Sequence, residues 1–594
     1  MTKPSRLHRF FAFVGVLTTG LVALLVFAGA VRCACGGERV PARTVLELDL
    51  ERPLTEYAAG DPIARLLAGG GPTVADVIAA LDRARTDDRV AGLVAHLGGG
   101  GGGMARTQEL RDAIREFRAS GKFAVAFAET FGEFGPGNQG YYLATAFDEI
   151  WLQPSGDVGL TGLMMQGMFV RGALDKLDVA ARMDHRHEYK NALNMYTERA
   201  FTPAHREASQ AVLSSMFDQL VAGIAEGRKL APEAVRALID RGPFLGPEAH
   251  TEGLVDRLGY RDEVIDAVKS RAGAGAELLY ADKYLDRAGK PHTRGARIAV
   301  VYGLGPVNRG ASSFDPLFGE TTMGSDTVAA ALRAAIADPE VKAIVFRVDS
   351  PGGSYVASDT IWRETVRARA AGKPVIVTMG NVAGSGGYFV AMSATKIVAQ
   401  PGTVTGSIGV LGGKLLTRQL FERLGVTYDA IASSANADFF SDTHDYSAAG
   451  WQRFQAWLDR VYADFTQKVA DGRGLPIEKV REIARGRIWT GADAKQLGLV
   501  DELGGFSVAL RLARESAGLA ADAPIELRVY PEEEGLIGSL LGGKQRDSSD
   551  DVAGVQVNLG LADQLRPLAG QLRALGFAPG SHGVLGMPPV ALGD

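Results

Sequence analysis

The sequence predicts an α/β fold class, arranged as two tandem repeats behind a single N-terminal transmembrane helix. Three observations carry that expectation: collinear blocks that recur about 250 residues apart, β-branched runs alternating with helical stretches inside each copy, and one long uncharged segment near the start. At 594 residues the chain exceeds what one hydrophobic core usually serves, so more than one domain is expected.

Phe10 to Val31 is 22 residues without a charge, long enough to cross a bilayer and longer than a typical signal-peptide core. Lys3, Arg6 and Arg9 precede it, so the positive-inside rule keeps the first residues cytoplasmic and sends everything after Val31 to the far side, the periplasm of a Gram-negative cell. The expected location is the inner membrane, single-pass. The small residues Ala28-Gly29-Ala30 leave a cleaved signal peptide as the alternative. The two cysteines, Cys33 and Cys35, fall just beyond the span and read as linker residues, so the domains hold no disulfide framework and no cysteine metal site. A net charge of −5 with 46% apolar residues shows neither disorder nor a nucleic-acid footprint, and no metal or cofactor is expected.

Asp88-Arg89-Val90-Ala91-Gly92-Leu93-Val94 resembles Pro339-Glu340-Val341-Lys342-Ala343-Ile344-Val345, and Gly121-Lys122 resembles Gly372-Lys373, both 251 residues apart. The spacing becomes 247 for Gly140-Tyr141 against Gly387-Tyr388, and 245 for Gly253-Leu254-Val255-Asp256 against Gly498-Leu499-Val500-Asp501. Such drift fits a duplication with small loop differences. The predicted organisation is residues 1–45 for cytoplasmic N-terminus, span and linker, 46–272 for the first repeat, 273–296 for a linker, 297–520 for the second repeat and 521–594 for a tail. In the second repeat, strands are expected at Ile298–Val301, Ala343–Val348 and Val375–Thr378, with helices at Thr327–Ala337 and Ser358–Arg369. Apolar strands alternating with helices argue a mostly parallel sheet. In the tail, Val555–Leu575 reads as a helix that Pro567 would interrupt.

Asn381-Val382-Ala383-Gly384-Ser385-Gly386-Gly387-Tyr388 places a serine in a tight glycine turn between a strand and a helix. Close backbone approach and unpaired helix-start N–H groups suit a nucleophile beside a developing oxyanion, although a small residue in a crowded turn is the plainer reading. Opposite Ser385, at spacing 247, stands Asn138, which cannot act as an alkoxide. No histidine lies between Ser385 and His444, so a base shortly after the serine must be something else. Lys190, in Glu188-Tyr189-Lys190-Asn191-Ala192, is the candidate general base, set against the plainer reading of a solvated lysine. Its counterparts in the second repeat are Ala435 or Ala437, so one copy keeps a serine without the lysine and the other a lysine without the serine. Complementary loss suggests one site assembled from both repeats. Asp349-Ser350-Pro351-Gly352-Gly353 offers the N–H groups of Gly352 and Gly353, with that of Gly386, as an oxyanion hole, and Ser407 in Thr405-Gly406-Ser407-Ile408-Gly409 could orient the lysine amine. Gly98 to Gly103, the counterpart of the first of these turns, is no P-loop, because no Lys-Ser or Lys-Thr comes after it.

Together these motifs resemble the signal peptide peptidase A, or protease IV, family in its long, membrane-anchored, tandem-repeat form, over about residues 45–520. Gly384 stands where the family usually has Ala, and Asn191 where it usually has Ser. The resemblance implies two ClpP/crotonase-like repeats, a Ser385/Lys190 dyad split between them, a bowl-shaped homotetramer, and hydrolysis of signal peptides left in the membrane. Two other classes use parts of the same pattern. A crotonase-like acyl-CoA hydrolase or isomerase would use the glycine turns but need neither the Ser385/Lys190 pair nor an anchor, and a non-catalytic membrane scaffold would leave Ser385 inert.

Overall fold

The computed structural model describes residues 39–51, 54–56, 71–100, 102–315 and 320–531, with two-residue strands further on at Gln556–Val557, Leu585–Gly586 and Leu592–Gly593. The span expected at Phe10–Val31 and both cysteines lie outside the described residues. Among the described residues no helix is long and apolar enough to cross a membrane.

Two α/β units succeed one another along the chain. The first is built on a six-stranded parallel sheet in the spatial order Glu277–Tyr280, Thr44–Leu50, Val90–Leu97, Phe123–Ala128, Glu149–Leu152, Arg257–Leu258. The second orders Ile525–Tyr530, Ala296–Leu304, Val341–Ser350 and Val375–Gly384 in parallel. Both Lys396–Ala399 and Val404–Gly406 then pair with the last of these strands, also in parallel. Period-two burial explains the layering. In Val341–Ser350, Ile344, Phe346 and Val348 point into one core with Val328 and Leu332 of helix Ser325–Ala337 and Ile361 of helix Tyr355–Ala370. Ala343 and Val345 point the other way, against Ala509 and Ala513 of helix Phe506–Ser516. Each fully buried Val, Ile or Phe contributes roughly 1.5–3 kcal/mol over its exposed state, which fixes the register of a strand buried on both faces.

Equivalent residues repeat equivalent contacts. Lys122 donates to the carbonyls of Ala84 and Asp87, and Lys373 to those of Ala335 and Asp338. Tyr141 Oη donates to Leu254 O (2.7 Å) and Tyr388 Oη to Leu499 O (2.9 Å). The 26-residue helices Pro203–Arg228 and Ala448–Arg473 each start on a hydroxyl cap, Thr202 and Ser447, and each end on a left-handed residue, Lys229 and Gly474.

Three sequence expectations are corrected by the structure. The segment 273–296 is not merely a linker: Glu277–Tyr280 is the edge strand of the first sheet, and helix Ala281–Ala288 buries Tyr284 and Leu285 in its core. The tail does not begin at 521, because Ile525–Tyr530 pairs with Ala296–Val301 as the edge of the second sheet. Glu277–Tyr280 is too short for a periodic signal, whereas Ile525-Glu526-Leu527-Arg528-Val529-Tyr530 alternates apolar and polar residues as a half-buried strand should. Gln556–Val557, inside the stretch expected as a helix, is a strand parallel to Ser313–Phe314.

Candidate active site

Strand Val375–Gly384 runs without a loop into helix Gly386–Ala391, so the turn between them is one residue, Ser385. Its φ of +54° is a conformation that residues with a Cβ rarely adopt, and such strain persists only where the surroundings over-determine it. Here Ser385 N donates to Gly406 O (2.8 Å) and Ser385 O accepts from Phe389 N (2.8 Å). The side chain is fully buried.

Lys190 arrives from the first unit. Strand Ala180–His185 pairs antiparallel with Leu411–Leu416 of the second unit, Arg186 N donates to Val410 O (3.0 Å) and Tyr189 N to Arg485 O (3.2 Å). This inter-unit ladder brings Lys190 Nζ to 2.8 Å from Ser385 Oγ, 2.9 Å from Ser407 Oγ and 2.8 Å from Ser407 O. Lys190 is fully buried, and among the described residues no carboxylate is hydrogen-bonded to it; burial alone holds its amine well below the ordinary 10.5. A neutral amine has two N–H donors and one lone pair. The two acceptors on Ser407 can take the donors, which leaves the lone pair facing the Ser385 hydroxyl.

Ser407 is buried, also at positive φ (+50°), and its N–H is fixed on Arg487 O at 2.7 Å. Its place beside the amine is the one the sequence suggested. The backbones of the three oxyanion candidates, Gly352, Gly353 and Gly386, lie against one another. A Cβ at Gly386 would lie 3.0 Å from Gly353 N and 3.1 Å from Gly352 Cα, so the turn and the helix start touch with no room for a side chain. As the first helical residue, Gly386 has an N–H without an intrahelical acceptor. Gly352 donates its N–H to Ser350 Oγ (3.2 Å), so that group is engaged inside the turn.

The counterparts in the other halves are occupied differently. Asn138 is buried, and its Oδ1 accepts from Thr161 N (3.1 Å) and Gly162 N (2.9 Å) while Nδ2 donates to Gly162 O (3.0 Å). The amide thus closes the turn where the second unit has its serine. Ala435 and Ala437 lie exposed on the surface.

Sequence reasoning missed the residues that make room for the lysine. A Cβ at Gly486 would lie 2.5 Å from Lys190 N and Cβ, and one at Gly409 would lie 3.2 Å from Lys190 Cδ. Gly409 sits inside a quoted motif; Gly486, within Arg485-Gly486-Arg487, carries no signal that separates it from an ordinary turn glycine. Arg487 was missed too: it holds Glu207 through two contacts of 2.7 and 2.8 Å and lies 4.9 Å over the Tyr189 ring, bracing the residue before the lysine.

The profile of peptidase family S49 matches residues 116–275 and 367–520. Protease 4 of Salmonella typhi is 35% identical over 502 residues, covering 80% of this chain and 79% of that one. The chloroplastic serine protease SPPA of Arabidopsis thaliana is 30% identical over 496 residues, 81% of this chain and 71% of that protein. Protease 4 of Haemophilus influenzae is 32% identical over 471 residues, 76% and 74%. A serine peptidase is the class these findings define. The chain belongs to peptidase family S49, as the signal peptide peptidase A resemblance implied.

Proposed function

We propose that this protein is a membrane-anchored serine endopeptidase in which Ser385 is the nucleophile and Lys190 the general base, acting on cleaved signal peptides and other hydrophobic peptides. The observation that carries this reading is the 2.8 Å contact between a fully buried lysine amine and a fully buried serine hydroxyl held at positive φ.

In the proposed cycle, neutral Lys190 takes the proton from Ser385 Oγ as that oxygen attacks the peptide carbonyl carbon. The carbonyl oxygen becomes an oxyanion facing Gly386 N–H and the Gly352–Gly353 turn. Collapse of the tetrahedral intermediate breaks the C–N bond, and the Lys190 ammonium returns its proton to the leaving amine. Water then enters, gives a proton to Lys190 and attacks the acyl-enzyme ester; release of the acid returns that proton to Ser385. Ser407 keeps the amine aimed at the serine throughout. No step needs a metal or cofactor.

Peptide substrates are supported by a second feature: Leu585–Gly586 pairs antiparallel with Gly352–Gly353, so the edge of this turn accepts an extended segment. Apolar specificity is supported by Leu163, Met165, Val382 and Tyr189, the residue before the lysine, which are partly buried and pack against one apolar cluster of Ala208, Val212, Met216, Val404 and Ile488. The anchor is the uncharged stretch Phe10–Val31, with the two ClpP/crotonase-like repeats on the periplasmic side of the inner membrane, assembled as a homotetramer.

Hydrolysis of casein and of a synthetic signal peptide by wild type and Ser385→Ala, with fluorophosphonate labelling of each, tests the reading. The wild type is expected to cleave and to be labelled, and the variant to do neither. Labelled wild type that cleaves no peptide would move the protein toward acyl-ester chemistry, and an unlabelled wild type would leave a scaffold.

A further inference from the structure

The nucleophile strand does not run in register with its neighbour all the way to Ser385. Val348 pairs with Met379 and Ser350 with Ala383, so the single residue Asp349 stands opposite Gly380, Asn381 and Val382. This is a bulge, and bulges beside active sites re-aim the chain beyond them. Beyond this one lie Ser385 on one strand and the Gly352–Gly353 turn on the other.

Asp349 fills the space the bulge creates. Its Oδ1 accepts from Val382 N (3.0 Å). A Cβ on Gly380 would lie 2.7 Å from the Asp349 carboxyl, so only glycine there leaves the carboxylate its seat. The carbonyl of Asp349 accepts from Gly305 N (2.8 Å), which pins the start of the turn.

The other end of the carboxylate reaches the first unit. Arg106 Nη2 lies 3.4 Å from Asp349 Oδ2, while its Nε contacts Glu56 Oε1 (3.0 Å) and its Nη1 donates to Leu54 O (3.0 Å). Arg106 N, in the first turn of helix Met104–Ala119, donates to Asn381 Oδ1 (3.1 Å), and Asn381 Nδ2 donates to Gly102 O (2.8 Å). That helix has no side-chain cap of its own, so the bulge residue Asn381 serves as one from the opposite unit. Arg347, on the same strand as Asp349, contacts Glu56 (3.0 Å) and Glu109 (2.7 Å) and completes a buried inter-unit network.

We propose that Asp349, held by Arg106 of the first unit, is a positioning residue: its carboxylate fixes the offset between the nucleophile strand and the glycine turn, and with it the placement of Ser385 against the oxyanion donors. The proposal rests on Ser385 being the nucleophile. It also explains why the first unit is needed for more than its lysine.

The groups facing Asp349 are Arg106 and Glu56 from the first unit and Arg347 from its own strand, with Glu109 and Tyr302 on the far side of Arg347. Three carboxylates share two guanidinium groups. Burial first, then repulsion from Glu56, raises Asp349 to about 6. Above that pH the carboxylate is charged and engages both Val382 N–H and Arg106; below it a proton occupies one oxygen and the hold on Arg106 weakens.

The test compares Asp349→Asn, Arg106→Lys and Arg106→Gln with wild type and Ser385→Ala, recording kcat, KM and the pH profile from about 5 to 10, a range spanning the Asp349 value and the onset of lysine deprotonation. Asp349→Asn keeps an acceptor for Val382 N–H but loses the charge. A kcat loss on the order of 10-fold to 100-fold is expected, since small misplacements of reacting groups have costs of this size. KM should stay within about twofold of wild type, because uniform binding is untouched. The ionisation near pH 6 should disappear from the Asp349→Asn profile while the lysine limb stays. Arg106→Lys should recover much of what Arg106→Gln loses. If Asp349→Asn does not fold, the two Arg106 variants decide the matter by the same kcat and pH readouts. Wild-type kcat and an unchanged pH profile in the folded variants, with Ser385→Ala inactive, would overturn the positioning role alone. An active Ser385→Ala would instead overturn the nucleophile on which the proposal stands.

Discussion

Replacing Gly486 by alanine is expected to disable the site without touching either reacting side chain. Gly486 lies in the second unit at φ +81°, its N–H donates to Ile408 O (2.8 Å), and a Cβ there would sit 2.5 Å from Lys190 N and Cβ. Ordinary van der Waals contact begins near 3.4 Å, and the clash is with backbone, which cannot swing aside as a flexible chain end can. Relief requires Lys190 to retreat by about 1 Å, and a misplacement of that size in a catalytic group costs about 10²-fold in rate. From a starting contact of 2.8 Å, such a retreat takes Nζ beyond hydrogen-bond range of Ser385 Oγ. The positive φ adds roughly 1–3 kcal/mol of backbone strain. The assay is the second-order rate of fluorophosphonate labelling of Ser385, read beside the thermal midpoint. A labelling rate within about threefold of wild type, far short of the 10²-fold loss, would show that the amine is not placed by this contact and refute the reasoning.

The same geometry makes further outcomes testable. Above the Asp349 step near pH 6, activity should rise with pH through a lysine ionisation lying below 10.5, because only the neutral form of Lys190 can accept the serine proton; a rate falling steadily from about pH 6 to 9 would contradict a lysine base. The same depressed value means that the folded state binds fewer protons than the unfolded chain, so the thermal midpoint of wild type relative to Lys190→Met should climb with pH and level off near 10.5, as differential scanning calorimetry would show. Finally, Lys190 and Ser385 meet within one chain, so mixing Lys190→Ala with Ser385→Ala should leave peptidase activity at background even after subunit exchange. Recovery in the mixture would mean that the working dyad forms between chains.

The α/β alternation was readable because strands such as Val341–Ser350 are buried on both faces and so spell out near-continuous apolar runs. Ser385 and Lys190 were singled out for a different reason: a repeated chain supplies its own comparison, and the replacement of serine by Asn138 and of lysine by alanine sets each residue against its partner copy, whereas Ser407 was singled out from its glycine turn alone. Edge strand Glu277–Tyr280 was missed because four residues carry little pattern, and Ile525–Tyr530 because, despite its alternation, its place in the sheet is set by pairing with residues more than 200 positions away. Gly486 and Arg106 were missed for the same reason. Their importance is steric or electrostatic contact with the other unit, and nothing local in the sequence encodes it.

Placing Lys190 on one unit and Ser385 on the other ties the charge of the lysine amine to the docking of the units. Burial strips water from the Lys190 amine and disfavours its charged form, and much of that burial is supplied by the second unit: Gly409 and Gly486 at its stem, Ser407 and Ser385 at its tip. Detached from the second unit, the same lysine would stand in water with its ordinary value of 10.5, protonated at neutral pH and unable to accept a proton. Docking of the units is therefore what favours the neutral amine that the proposed base requires. The cost of taking the amine out of water is offset by inter-unit contacts elsewhere, among them the backbone ladder of Ala180–His185 on Leu411–Leu416. A first unit and a second unit expressed separately should each be inactive, and the isolated first unit should show a lysine that titrates normally.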